Sequence, residues 1–268
     1  MPRVRLDQLL VERGLARSRS EAQALLLAGE VEMAGAGSRM LKPGQQVVDD
    51  VALELVRQPR FVSRGGVKLE AALRRFGIDP RGVACLDAGA STGGFTDALL
   101  QAGARVVYAV DVGRGQLSER LRRDRRVVSM EQTDVRRLTS LPEAIALATL
   151  DLSFISLRLV LPAVRKLLAE DGVAIALVKP QFEAGREAVP RGGVVRDPAV
   201  HRAVLERLAA DAVSAGLRPV GLMRSPITGA QGNVEFLARL DVLPDAPQDA
   251  PPDASAADWA AVVAACVG

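Results

Sequence analysis

The chain has 268 residues, of which 49% are hydrophobic and 25% charged. That fits one large domain or a small domain joined to a medium one, and it excludes wholesale disorder. One histidine and two cysteines (His201, Cys85, Cys266) exclude a histidine-pair metal site, a cysteine zinc cluster and a disulfide framework, while 3% aromatic residues exclude RNA reading built mainly on stacking platforms.

Residues 3–58 read as a small α+β module. Leu6, Leu9 and Leu10 recur at helical spacing and Gly14 ends that helix. Ser18 and Glu21 form a capping-box pattern before Ala22, Leu25 and Leu26, and Gly29 stops the second helix. Strand-like pieces follow at Glu30–Met33 and Val51–Val56, with a turn around Gly35 and Gly37 between them. Arg3, Arg5, Arg13, Arg17 and Arg19 cluster here against Asp7 and Glu12. Although the net charge is only +3, five of the acids lie from Asp241 onward, where there is no base, so the rest of the chain is distinctly basic. A basic body suits a polyanionic partner.

Residues 59–66 read as a linker, and 67–242 as a second domain of alternating strands and helices. Strands are expected at Val83–Leu86, Val106–Val110, Val127–Ser129, Leu147–Leu152 and Gly172–Val178, with helices near Leu161–Leu168 and Ala199–Ala215 and late strands near Pro219–Met223 and Val234–Leu240. This rhythm means a parallel sheet with helices on both faces, a Rossmann-like α/β fold. His201 is expected on the surface and Cys85 in core packing. Residues 243–268 read as an acidic Pro/Ala tail, with Trp259–Val267 left open as a docking helix. No apolar run approaches the ~20 residues of a membrane span, so a cytoplasmic, non-membrane protein is expected. No acidic cluster has metal spacing, so no metal is expected. The oligomeric state is not legible.

The segment Asp87-Ala88-Gly89-Ala90-Ser91-Thr92-Gly93-Gly94-Phe95 joins the first strand to its helix. Its glycines let backbone pass close under a ligand. Ser91 stands where a dinucleotide fingerprint needs its second glycine-turn residue, and Asp87, read as the last residue of the strand, repels a diphosphate. An acid there suits a cationic ligand such as the sulfonium of S-adenosylmethionine. Asp111, ending the second strand, is placed to accept from ribose hydroxyls, and Asp134, after the third, to take the adenine amine.

Lysine is scarce: Lys42, Lys68, Lys166 and Lys179 are all there are. Lys179 ends the fifth strand and Asp151 the fourth, on the edge where parallel sheets present ligand sites. Lys68 lies just before the first helix of this domain, and Glu235 interrupts an apolar run. Arg64-Gly65-Gly66-Val67-Lys68-Leu69, the Asp87–Phe95 segment, Asp151-Leu152-Ser153-Phe154-Ile155-Ser156-Leu157, Val178-Lys179-Pro180-Gln181-Phe182-Glu183 and Gly232-Asn233-Val234-Glu235 together resemble the TlyA family over residues 3 to about 240. These are bacterial ribosomal RNA 2′-O-methyltransferases of FtsJ-like fold.

The resemblance implies an N-terminal RNA-binding domain similar to that of small-subunit ribosomal protein S-four. It implies a Lys68-Asp151-Lys179-Glu235 catalytic tetrad, S-adenosylmethionine as methyl donor, and ribosomal RNA as partner. The modified residue would be a cytidine of the large subunit and, in some members, one of the small subunit. Arg3, Arg5, Arg17, Arg19 and Arg64 are the expected RNA contacts, and the arginines from Arg120 to Arg126 either hold phosphates or pair with Glu119 and Asp124. Lys179 is expected to accept or steer the hydroxyl proton, with Asp151 orienting it and Glu235 orienting Lys68 or the ribose. The segment Ser225–Gly229 departs from similar sequences, with Thr228 where a basic residue is common. The alternatives are a catalytically silent RNA-binding assembly factor, which would have lost tetrad or cofactor residues, and a membrane-active hemolysin, which would need a long apolar or cationic amphipathic segment.

Overall fold

The structure is a computed structural model that describes residues 3–33, 41–55, 60–243 and 255–267. The chain divides into two compact units, Met1–Arg60 and Phe61–Gly268.

In the smaller unit, strand β1 (Arg3–Arg5) runs directly into helix α1 (Leu6–Glu12), and α2 (Arg19–Ala28) follows. Ser18 caps α2 by accepting from the Glu21 N–H at 3.2 Å. Glu21 does not close the box on Ser18; its carboxylate accepts from the Arg17 N–H at 2.7 Å. Two antiparallel pairs complete the unit: β2 (Val31–Met33) with β4 (Leu53–Leu55), and β1 with β3 (Gln46–Val48). Leu6, Leu9, Leu10, Ala22, Leu26 and Val47 form its core. The expected turn at Gly35 and Gly37, and Val56, lie outside the described residues.

The larger unit is built on a seven-stranded sheet. It contains β5 (Ala84–Ala88), β6 (Val106–Val110), β7 (Val127–Met130), β8 (Ile145–Leu150), β9 (Leu168–Val178), β10 (Leu217–Arg224) and β11 (Phe236–Val242). Their order is β10-β11-β9-β8-β5-β6-β7. The five strands from β9 to β7 are parallel, whereas β11 runs antiparallel to both neighbours. Helices cover both faces, as the strand–helix rhythm requires. On one face α3 (Gly65–Phe76) and α4 (Gly94–Gln101) bury Leu69, Leu73, Phe95 and Leu99. On the other, α6 (Leu161–Leu167) and α8 (Pro198–Ser214) bury Leu161, Val164, Val204 and Leu205. The short α5 (Glu119–Arg122) and α7 (Pro180–Glu183) lie in connections. Each buried leucine contributes about 1.5–3 kcal/mol.

Three expectations need correction. Residues 61–66 do not form a linker: Phe61 is buried in the core of the larger unit, packed so closely on Gly66 that a Cβ there would meet its ring at 2.2 Å, and α3 already begins at Gly65. The tail is not wholly irregular. Helix α9 (Ser255–Val267) buries Trp259 and Val263 in the same core as α6 and α8, and the Trp259 indole donates to the Leu205 carbonyl at 3.0 Å. His201 is buried rather than on the surface. Its ring is 3.0 Å from the Val195 carbonyl and lies edge-on to Phe236, because this face of α8 packs on β11.

Candidate active site

The reversal of strand order between β5/β8 and β5/β6 opens a crevice at the carboxyl ends of the parallel strands, where open α/β sheets bind ligands. A cleft of about 110 Å³ lies there, lined by Ser63, Gly65, Lys68, Asp151, Phe95 and the loop from Gly89 to Thr92 with Gly94. Gly89 has φ +87°, and a Cβ on it would stand 2.5 Å from the Asp151 carbonyl oxygen. Only a residue without a side chain lets the β5 loop pass so close to the chain leaving β8. The Gly89 and Ala90 N–H groups donate to the Val110 carbonyl and so hold the loop against the end of β6.

The four tetrad candidates come together at this rim as two ion pairs. Lys68 Nζ is 2.5 Å from Glu235 Oε2, and Lys179 Nζ is 2.6 Å from Asp151 Oδ1. Lys179 also donates to Ser153 Oγ at 3.1 Å. The lysine side chains are only 11% exposed, and Glu235 is buried. The antiparallel turn of β11 explains why a late strand reaches the site: Phe236 pairs with Val178, which sets Glu235 beside the position of Lys179. Gly229 leaves room for the Glu235 carboxylate, since a Cβ there would meet it at 1.9 Å.

The acids assigned to the cofactor are placed differently from one another. Asp87 is not the last residue of its strand. Pairing of Ala88 with both Val110 and Leu150 carries β5 one residue further and turns the Asp87 side chain into the interior. It is fully buried and absent from the cleft wall, and it accepts from Thr96 Oγ1 (2.6 Å) and Thr149 Oγ1 (3.1 Å) in the interior. Burial, aided by the nearby Asp151 charge, pushes its carboxyl up to about 7 against the pull of those hydroxyls. Asp111 uses its two oxygens to accept from the N–H groups of Ser91 (2.8 Å) and Gly113 (2.7 Å) and thus organises the loop mouth. Asp134 caps the following turn and pairs with Arg136 at 2.6 Å, which holds its carboxyl below the usual carboxylate range. Thr92, Gly94 and Phe95 line the cleft. Gly93, at φ +97°, caps α4 against Leu117 and Leu121.

Several residues at the site were not singled out from sequence. Ser63 and Gly65 lie in the cleft wall, within the segment read as linker. Ser153 and Glu183 lie inside quoted motifs, but nothing in their spacing marks them. Glu131, which accepts from the N–H groups of Gly115, Gln116 and Leu117, carried no signal at all. Phe154 is 89% exposed at φ +63°, its ring 4.9 Å from that of Phe182.

The arginines also divide. Arg5 and Arg19 both pair with the buried Asp7, and Arg13 donates to the carbonyls of Val51 and Asp49. Arg3 and Arg17 are exposed. Arg64 donates to the Thr228 carbonyl at 2.9 Å. In the arginine run, Arg120 pairs with Asp97, Arg123 with Glu119 and Arg126 with Asp124, while Arg122 and Arg125 are exposed.

A mostly parallel sheet with a glycine-rich loop at its strand-order reversal, beside an acid ending the second strand, defines a Rossmann-like S-adenosylmethionine-dependent methyltransferase. A methyltransferase of that dependence from Listeria monocytogenes shares the fold at TM-score 0.51 and 16% identity, over 67% of this chain and 99% of its own. The chain belongs to the FtsJ-like methyltransferase family, whose model matches residues 61–241, and carries an S4 domain at residues 4–35. It is 48% identical over 240 residues to the 16S/23S rRNA (cytidine-2′-O)-methyltransferase TlyA of Mycobacterium tuberculosis, covering 87% of this chain and 88% of that one. It is 40% identical to Hemolysin A of Brachyspira hyodysenteriae, over 88% of this chain and 98% of the relative. A solved Streptococcus thermophilus structure named as a hemolysin matches at TM-score 0.73 and 45% identity, over 99% of this chain and 96% of that one. Among the described residues, no helix is long and apolar enough to cross a membrane, and no group of three or more His, Cys, Asp or Glu side chains could hold a metal.

Proposed function

We propose that this methyltransferase acts on the 2′-hydroxyl of a cytidine in ribosomal RNA, in the large subunit, with the small subunit as the second substrate to test, and with the S4 unit supplying RNA affinity. The observation that carries the reading is the meeting of Lys68 and Asp151 on the wall of one cleft, each bonded to its partner within 2.6 Å.

S-adenosylmethionine, when bound, supplies a methyl group already activated by its sulfonium. The cleft fits such a group: Gly89 offers backbone without a side chain, and Ser91, Thr92 and Asp111 supply polar atoms along the loop. Asp87 supports this loop from below through Thr96 and Thr149 rather than touching the ligand. A ribose hydroxyl is a weak acid and a poor nucleophile, so this chain must hold it in line and govern its proton. An ammonium has three N–H donors. Lys179 directs two of them at Asp151 and Ser153, leaving the third for the ribose oxygen. Lys68, pinned by Glu235, holds the opposite side of the site. Phe154 offers an exposed ring face to a base lifted out of its stack, a local exception to the aromatic-poor composition. Arg3, Arg5, Arg17, Arg19 and Arg64 are the proposed phosphate contacts, with Arg122 and Arg125 added from the arginine run.

The test is methyl transfer from labelled S-adenosylmethionine to separated ribosomal subunits from a strain lacking the enzyme, with ribose mapping of the product. Label at a cytidine 2′-oxygen supports the reading; label on a base, or on free nucleosides alone, overturns it. Lys179→Arg separates the two proton roles. Near-wild-type single-turnover rates across pH would show that this position works as a cation rather than a base.

A further inference from the structure

Strands β8 and β9 are parallel neighbours, and the segments leaving their carboxyl ends are joined side chain to side chain along their length. At the near end are the Asp151–Lys179 pair and the Lys179–Ser153 hydrogen bond. In the middle, the Phe154 and Phe182 rings meet at 4.9 Å. At the far end, the Glu183 carboxylate accepts from Ser156 Oγ at 2.7 Å on one oxygen and from the Leu157 N–H at 2.8 Å on the other. Between the two ends Phe154 holds φ +63°. That conformation is strained for an aromatic residue and persists only where the surroundings over-determine it. The ion pair fixes one side of Phe154, and Glu183 is what fixes the other.

Resting on the proposed active-site reading, we infer that Glu183 is a positioning residue for methyl transfer. Its two-oxygen grip on Ser156 and Leu157 holds the 151–157 loop in the strained form that sets Asp151 and Ser153 on Lys179 and turns Phe154 outward. Glu183 is not among the residues that line the cleft. Burial pushes its carboxyl up, and the two donors from the loop oppose that cost. Without Glu183 the loop relaxes toward ordinary backbone angles. The Lys179 ammonium then loses its alignment while the Gly89–Thr92 side of the cleft stays intact.

The experiment compares Glu183→Gln, Ser156→Ala and Lys179→Ala in the full chain, using S-adenosylmethionine and unmodified large ribosomal subunits. Glu183→Gln keeps the volume but lacks the second acceptor, and Ser156→Ala removes one bond at an unstrained residue, so a folding failure of one leaves the other decisive. The expected result is a fall in single-turnover rate of roughly ten- to a hundredfold for Glu183→Gln, as small misplacements near reacting groups produce. Ser156→Ala should fall less, and cofactor Kd should stay within about threefold for both, the Gly89–Thr92 side of the cleft being untouched. Wild-type rates in both variants, with Lys179→Ala inactive, would overturn the inference and leave the site reading standing. So would a parallel loss of rate and cofactor affinity, which a general collapse of the site produces. Full activity of Lys179→Ala would instead remove the site reading, and this inference with it.

Discussion

Each unit closes one aspartate off from solvent, Asp7 and Asp87, and their carboxyls are shifted in opposite directions. Asp7, in the smaller unit, accepts from Arg5 through both oxygens at 2.9 and 3.0 Å, and from Arg19 and Gln23 at 3.0 Å. Arg5 above all holds its carboxyl below the usual carboxylate range, outweighing burial. Asp87, in the larger unit, has only threonine hydroxyls, and burial lifts it to about 7. Neither side chain meets solvent, yet Asp7 lies shallow beneath guanidinium groups that favour its anion, whereas Asp87 lies deep in the core with only hydroxyl partners and its carboxyl is raised. The two carboxyls therefore contribute stability of opposite pH dependence. Asp7 has a lowered folded pKa, so its stabilisation is present above the ordinary carboxylate range and lost as pH falls. Asp87 has a raised one, so its contribution is complete below about pH 4 and lost as pH rises through 7.

The sharpest way to break this contrast is to remove an anion from a buried cation. Glu235→Ala leaves Lys68 largely enclosed and unpaired, which should destabilise the larger unit by about 3–5 kcal/mol and abolish methyl transfer; thermal melting and a transfer assay read both. Arg5→Ala takes the two-point partner from Asp7. The expected result is a lower melting temperature, tempered by the partial solvation of Arg5, and hydrogen exchange should localise the loss to the smaller unit. Asp87→Asn should change midpoint stability less than it changes the pH dependence. The decline in melting temperature from pH 5 to 8 should flatten, and an unchanged slope would refute the neutral-acid assignment. Arg122→Ala is the mildest case. Stability should stay within about 0.5 kcal/mol, while the salt dependence of subunit binding loses about one phosphate contact.

The alternation of Val83–Leu86, Val106–Val110 and Gly172–Val178 with helical segments made the sheet legible, because period and length are local properties. The placing of Asp151 and Lys179 at one sheet edge was legible too, since each follows a parallel strand, whereas Lys68 and Glu235 were reached through the resemblance of whole motifs. The depth of Asp87 was not legible: whether β5 stops at Asp87 or Ala88 depends on pairing with β6 and β8, which are remote in sequence. Phe61 looked like part of a junction because its partner, the bare backbone of Gly66, carries no hydrophobic signal. His201 looked solvated because a helix pattern does not say which neighbour, here Phe236, will cover a polar side chain. Arg13 belongs to the early basic cluster, yet its guanidinium is engaged with backbone carbonyls at Asp49 and Val51.

The docking of α9 has a practical consequence. Its Trp259 is the chain's single tryptophan, and the indole is enclosed between this helix and α8 with its N–H on the Leu205 carbonyl. Intrinsic fluorescence excited at the indole band therefore reports one place only. A red shift in emission, followed without any label during titration with urea or with ribosomal subunits, would time the undocking of the carboxyl-terminal helix separately from melting of the sheet.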